Sequence, residues 1–511
     1  MALEVLPIPL TWTLLPVLAV LFYLYAVRPL FIFRKMGVPG PTPVPVIGTT
    51  YLTAFWGFYN NNISVSDVGP VKGFFNGMTP ALVISDAEMM KEIFVKQFHK
   101  FTNRQTDSQM INVKPLSRMV FQLLDDDWKN VRTTLSPAFS SSKLRQMTGA
   151  MNSCAEQLVE NISSFATTKE SFDVRQLTGA FTMDVIARTI FGTEINSQRN
   201  PQDPFAINAK KSSNINFNSP LIWLYLLFPG TMKRICELLD YQLFFPREAT
   251  DFFNGVMDQL LAMRETDGGK GRVDMLQIMI DAHKEKDEDS TDGAKVHGKK
   301  QPLTRDDVVA NGIGFFNAGY DTVSITLSFL LYHLALDQEI QDKVRQEIHD
   351  VTDGESLVDY EAVQKMSYLE MCVMETLRLY SLVPFLVRVA AEDVQLKDLT
   401  IPKGMGVSVP VLAIHYDPAR WPEPRKFIPE RFTKEEREKR NPYDWMPFGA
   451  GPRNCVGMRL AMMELKVGVA KILMKYRVTT GPDTQVPVKL NKWQQFPTPE
   501  SPIRLMVEPV E

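Results

Sequence analysis

The chain has 511 residues, 45% of them hydrophobic and 23% charged, with a formal net charge of −3. That is ordinary globular composition with apolar material for a large core, and it argues against disorder and against a nucleic-acid partner held by overall basic charge. The 4 cysteines, Cys154, Cys236, Cys372 and Cys455, are far apart and form no C-x-x-C pair. This argues against a cysteine-built zinc or iron–sulfur site and against a disulfide framework, and points to a reducing compartment.

Residues 10–27, LTWTLLPVLAVLFYLYAV, carry no charge. The run is near the lower limit for crossing a bilayer, roughly 17–25 residues. Arg28, Arg34 and Lys35 follow it, and Glu4 is the only charged side chain before it. The positive-inside rule then leaves the body of the chain in the cytosol. A cleaved signal peptide is the alternative, but a basic start and a small-residue cleavage site are missing. We read 1–36 as a membrane anchor with its basic flank, 37–48 (GVPGPTPVPVIG) as a proline-stiffened hinge, and 49–511 as one folded body.

Within that body, PALVISDAEMMKEIFV (80–95) passes from a short β-like run to helical periodicity. From about residue 125 to about residue 337 the pattern is mostly helical. A charged stretch at 284–301 interrupts it and reads as a solvated loop. SPLIWLYLLFPG (219–230) is too short to span a membrane and is either buried core or a surface loop dipping into a bilayer. Thr304 and Asp307 resemble a capping box opening a helix to about residue 336, roughly 50 Å long. Short β-like runs return near DLTIPKGMGVSVPVLAIH. The expected fold is mainly α with a small β component, one domain behind an N-terminal transmembrane helix.

Three places carry chemistry. The long helix has FFNAGYDTVSITL (315–327) at its middle, where Gly319 costs about 1 kcal/mol against alanine and Asp321 and Thr322 are polar in an apolar run. Such broken rules mark either a functional site or a kink relieved by Thr322 bonding back to a carbonyl. In METLRLY (374–380), Glu375 and Arg378 share a helix face among apolar neighbours, so the pair is buried and needs further partners; PERF (429–432) offers Arg431. This cluster reads as a structural lock beneath the third place, FGAGPRNCVGMRLA (448–461).

There Cys455 stands at or just before a helix start, where free N–H groups lower a thiol pKa and favour the metal-binding thiolate. Gly449, Gly451 and Gly457 admit something flat and bulky, and the Arg453 fork suits a carboxylate. A buried, inert cysteine beside a glycine-rich turn is the plainer alternative. A flat ligand bearing iron and carboxylates is haem, and a thiolate on haem favours O–O cleavage.

The pattern F-x-x-G-x-R-x-C-x-G, filled by Phe448, Gly451, Arg453, Cys455 and Gly457, resembles the signature of the cytochrome P-450 haem-thiolate monooxygenases. AGYDT (318–322) resembles that family's oxygen-activating helix, ETLR (375–378) its E-x-x-R pair with PERF as third member, and WKNVR (128–132) its W-x-x-x-R helix. FTNR (101–104), NPQDPF (200–205) and FGAGPRNC (448–455) are most similar to the microsomal family 3 drug- and steroid-oxidising enzymes.

The resemblance implies haem b with Cys455 as axial ligand of the iron. It implies Arg104, Trp128, Arg132, Arg388 and Arg453 at the propionates, and Ala318, Phe448 and Gly457 against the macrocycle. Thr322 and Asp321 deliver protons, and Phe315, Phe316, Asn317, Val383, Pro384 and Phe385 line an apolar substrate pocket. Asn317 departs from the apolar or aromatic residue usual there, so the pocket is not a copy of its relatives'. One oxygen atom of O2 enters a steroid, fatty acid or xenobiotic. Electrons come from an NADPH-dependent flavoprotein reductase in the same bilayer, because no G-x-G-x-x-G or flavin segment is present. The location implied is the endoplasmic reticulum membrane, single-pass, with the catalytic body cytosolic; N-x-S at Asn62 and Asn161 then stays unmodified. Two other classes stay in view. A haem-thiolate peroxide isomerase leaves Thr322 without a task. A non-catalytic haem or lipid-binding membrane protein leaves the set Asp321, Thr322, Arg453 and Cys455 unexplained.

Overall fold

The first helix, Ile8–Phe22, opens an apolar segment that continues without a break in helical backbone to Lys35. Our computed structural model describes residues 8–57, 59, 69–104, 114–200, 202–213, 215, 217–266, 274–288 and 302–510. Within it Leu14–Lys35 is long and apolar enough to cross a membrane, with mean hydropathy 1.9 and only 6% of it buried. The end of that segment already belongs to the body: Phe33 is buried with its ring 4.9 Å from Phe75. The proline-rich stretch is a strap pinned to the body near its two ends. Gly73 N–H donates to Pro39 O (2.8 Å) and, just past the stretch, the Thr49 hydroxyl donates to Phe75 O (2.9 Å), while Gly48 N–H closes a turn within it onto Val44 O (2.7 Å).

That strap lies along a four-stranded sheet made of β1 (Val71–Asn76), β2 (Thr79–Ile84), β3 (Leu386–Val389) and β4 (Gly406–Val409), in the order β1-β2-β4-β3. The β2–β4 pairing is parallel and the others antiparallel. A three-stranded sheet joins Phe172–Asp173, Arg504–Pro509 and Tyr476–Thr480. Most other regular structure is helical, as the periodicity implied. Of the expected loop at 284–301, residues 284–288 prolong the helix Met275–Glu288, and 289–301, like Asn62, lie outside the described residues.

The central helix, Arg305–Leu336, has 32 residues, about 48 Å at 1.5 Å per residue, and organises the core. Its capping box is present: Thr304 Oγ1 accepts from Asp307 N–H and the Asp307 carboxylate accepts from Thr304 N–H. It packs along the helix Val174–Ile190, with the Thr182 hydroxyl donating to Tyr320 O (3.1 Å) and the Thr178 hydroxyl 3.2 Å from that of Ser328. Gly319 is explained by this packing, since a Cβ there would sit 2.7 Å from Ile186 Cδ1. The helix Pro220–Leu227 divides the two readings of its sequence. Ile222 and Tyr225 join a small core with Phe217, Met232 and Phe244, while Leu221 and Leu224 face outward.

Candidate active site

The central helix is buried from Asp307 to Ala335 except at Gly314, Phe315, residues 317–320, Thr322 and His333. Accessible surface in the middle of a helix, between the buried runs 307–313 and 323–332, marks a hollow beside it. Ala318 is its most open residue. The Thr322 hydroxyl, on the same face one turn on, donates to Ala318 O (2.6 Å). Its oxygen lone pairs remain to accept a second bond. Asp321 is buried and accepts from Arg175 Nη2 (2.5 Å). Burial raises the Asp321 carboxyl above its usual range, and Arg175 pulls the other way. Arg175 itself is a third exposed, so the pair links the helix interior to the surface.

Cys455 lies in a loop folded back on itself, its N–H donating to Phe448 O (2.8 Å) and Asn454 N–H to Gly451 O (3.0 Å). Gly451 has φ +71°, and a Cβ there would be 1.9 Å from Phe94 O, so only glycine fits. The following helix starts at Met458 with Gly457 as N-cap, which puts Cys455 outside it. Here the electrostatic expectation needs correction. Burial pushes the Cys455 thiol up; the Gly457 N–H, Arg132 and Arg104 pull it down but do not win. Yet Cys455 is accessible, so burial acts on a thiol facing a hollow inside the protein.

Arg104, Arg132, Arg388 and Arg453 converge around the same hollow. Burial and mutual repulsion press Arg104 down to about 10, and Arg388 and Arg453 each to about 9; burial also lowers Arg132. Among the described residues none of the four makes an ion pair. They bond instead to neutral groups: Arg132 to Asn454 Oδ1 (2.9 Å), Arg388 to Val387 O (2.7 Å) and Arg453 to Leu123 O (2.6 Å). Among the described residues, Nε of Arg388 and Nε of Arg453 have no hydrogen-bond partner. The Arg453 guanidinium lies 4.4 Å over the ring of Trp128. Buried cations without an anion are costly. Two carboxylates of one ligand answer that cost, and with the thiol beside them the donor set fits haem.

Beneath the loop, the lock is assembled as its residues implied. Glu375 accepts from Arg378 Nε (2.7 Å) and Nη2 (2.8 Å), from Arg431 Nε (3.2 Å) and from Ile428 N–H (3.0 Å). Arg378 also donates to the carbonyls of His415, Pro424 and Lys426. The His415 ring bridges onward. Nδ1 is 3.2 Å from Arg378 O, and Nε2 accepts from Met446 N–H (3.2 Å), two residues before Phe448. Sequence reading missed His415, Asn454 and Arg175, because an isolated polar residue carries no spacing signal for a partner far along the chain.

The pocket set divides. Phe315, Asn317 and Phe385 are half-buried and Val383 is exposed, whereas Pro384 is buried and its carbonyl accepts from Leu412 N–H (3.0 Å). Phe316 is corrected to core: its ring stacks on Phe191 at 4.2 Å and meets Phe205 and Phe253. Its place on the far side of the helix from Ala318 and Thr322 explains this.

Comparison with known proteins agrees with this geometry. Residues 38–507 match the family model described as Cytochrome P450. The chain is 39% identical to Cytochrome P450 3A12 of Canis lupus familiaris over 98% of this chain and 96% of that one. It is 40% identical to Cytochrome P450 3A6 of Oryctolagus cuniculus over 97% and 96%, and 36% identical to Cytochrome P450 3A27 of Oncorhynchus mykiss over 98% and 94%. The chain belongs to the cytochrome P450 family and is a membrane haem-thiolate monooxygenase.

Proposed function

We propose that Cys455 is the protein ligand of the haem iron and that Arg104, Arg132, Arg388 and Arg453 hold the propionates, with Trp128 as the platform under Arg453. The observation that carries this is the set of four arginines, Arg388 and Arg453 of them buried, with no ion-pair partner among the described residues, around a hollow that also exposes one thiol. Haem on a cysteine thiolate supplies the O2 chemistry that delivers one oxygen atom to substrate. Ala318, Phe448 and Gly457 lie against the macrocycle. Glu375, Arg378 and Arg431, acting through His415 and Met446, hold the cysteine loop in place.

Thr322 holds a proton at Oγ1 beside the hollow. Asp321, gripped by Arg175, connects that position to solvent. Phe315, Asn317, Val383, Pro384 and Phe385 shape the substrate side and keep water out. The substrate is an apolar molecule of steroid, fatty acid or xenobiotic type.

The electron donor is an NADPH-dependent flavoprotein reductase in the same membrane. Residues 1–36 anchor the chain in the endoplasmic reticulum bilayer, 37–48 form the strap, and 49–511 form the catalytic body on the cytosolic side. The exposed helix Leu14–Lys35, the cations after its apolar run, and the outward Leu221, Leu224, Leu238 and Leu239 support this arrangement. The test is a reductase-coupled product screen with steroids, fatty acids and drug-like molecules. NADPH consumption that needs the reductase and yields a hydroxylated product is expected. Peroxide turnover without reductase would favour the isomerase reading instead.

A further inference from the structure

A cleft of about 750 Å³ opens between the helices Ser141–Thr168, Val174–Ile190 and Arg247–Thr266. A cavity of that size accommodates a small organic molecule, for which roughly 300–1,000 Å³ is usual. It is separate from the haem hollow. None of the residues placed in the hollow lines it, and its wall residue Phe205 packs at 5.2 Å on Phe316, on the side of the central helix away from Ala318 and Thr322.

The lining combines an apolar patch with two guanidinium forks. Phe205 and Phe252 meet edge to face at 5.3 Å, and Val256 shares a helix face with Phe252. Arg188 and Arg199 supply the forks, and neither is settled. Arg188 Nη1 donates to the Ser153 hydroxyl (3.0 Å), while Glu194, 80% exposed, stays 3.6 Å from Nη2. Arg199 Nε donates to Gln157 Oε1 (2.7 Å), while Glu160, 69% exposed, stays 4.0 Å from Nη2. Exposed pairs this loose are worth little and are readily exchanged. The firmly held carboxylates are already engaged. Asp184 accepts from Ser197 N–H (3.1 Å) and Gln198 Nε2 (3.2 Å), and Asp203 from Phe205 N–H (2.8 Å). Cys154 brings no charge, since burial pushes its thiol up to about 12.

We propose that this cleft is a second ligand site, taking a small organic anion: one carboxylate, sulfate or sulfonate on an apolar ring frame. The anionic oxygens accept from Arg188 and Arg199, displacing Glu194 and Glu160 into water. The ring frame packs on Phe205, Phe252 and Val256.

The experiment titrates naphthalene-2-sulfonate, or its neutral analogue naphthalene-2-sulfonamide, into full-length, haem-loaded protein in a calorimeter. Clotrimazole, which ligates haem iron, is held at saturation to fill the hollow. The sulfonate should bind at one site, on the order of tenfold more tightly than the sulfonamide, the worth of one charge-assisted hydrogen bond. Arg188→Gln should erase most of that preference. Val256→Glu, which adds a carboxylate to the apolar patch, should weaken the sulfonate by a similar factor and leave haem content unchanged. Lack of saturable binding, equal constants for the two probes in wild type, or a preference that survives Arg188→Gln overturns the proposal. So does a sulfonate that clotrimazole displaces, because that places it in the hollow. If Arg188→Gln does not load haem, Arg199→Gln decides, at a side chain 65% exposed. It should lower the preference roughly threefold, and an unchanged preference overturns the proposal.

Discussion

Replacing Glu375 by glutamine keeps the shape of the side chain and removes its charge. In the structure that charge is the acceptor for Arg378 Nε and Nη2, Arg431 Nε and Ile428 N–H. Glu375 and Arg378 are 0% exposed and Arg431 8%. The substituted amide retains one acceptor oxygen and turns an NH2 toward a guanidinium. Arg378 keeps its bonds to the carbonyls of His415, Pro424 and Lys426, so the loss is the uncompensated charge more than lost contacts. Breaking a buried pair in this way costs about 3–5 kcal/mol, against a total stability of about 5–15 kcal/mol for a typical fold. Urea unfolding followed by the thiolate-type carbon monoxide spectrum should show a large fall in midpoint. A triple variant, Glu375→Leu with Arg378→Met and Arg431→Met, leaves no stranded charge and should recover part of that loss. An unchanged midpoint in Glu375→Gln, or a triple variant weaker than the single one, would refute the reasoning that buried charge dominates this cluster.

Thr322→Ala should still load haem and consume NADPH with reductase, but less oxygen should enter product and more should leave as peroxide; an unchanged ratio of product to NADPH would reduce the Thr322 hydroxyl to its bond with Ala318 O. His333 and His415 are both pushed down to about 3, by burial first and by Arg378 second. Each is neutral in the fold and takes up a proton on unfolding below about 6.5. Their contribution is therefore full above that pH and is lost as pH falls toward 3, by up to about 1.4 kcal/mol per pH unit for each. His333→Phe, which keeps the stack on Phe427, should make the fall in urea midpoint between pH 7 and about pH 5 shallower; an equal fall would contradict the assignment.

Local chemistry made much of the site readable in advance. A glycine-rich turn with one cysteine and one arginine has few uses, and the capping box at Thr304 and the face shared by Glu375 and Arg378 follow from helix geometry alone. What escaped depends on neighbours distant in sequence. Asp321 meets Arg175 from another helix, and Arg132 meets Asn454 of the cysteine loop. Phe316 looked like pocket lining until the aromatic cluster with Phe191, Phe205 and Phe253 claimed it. The thiol of Cys455 rises because burial by the whole fold outweighs the local N–H and arginine field. The hinge is pinned because Gly73 N–H of β1 donates to Pro39 O and Phe75 O accepts from Thr49 just past its end.

The central claim is that one thiol, that of Cys455, binds the haem iron. It is tested most directly by the carbon monoxide spectrum of the reduced, haem-reconstituted Cys455→Ser protein beside wild type. Wild type should give a thiolate-type spectrum, and the variant should retain haem weakly with that spectrum absent. A normal thiolate-type spectrum from Cys455→Ser would contradict it, because Cys154 and Cys372 are buried and Cys236 lies on the Pro229–Leu238 helix, outside the arginine cluster.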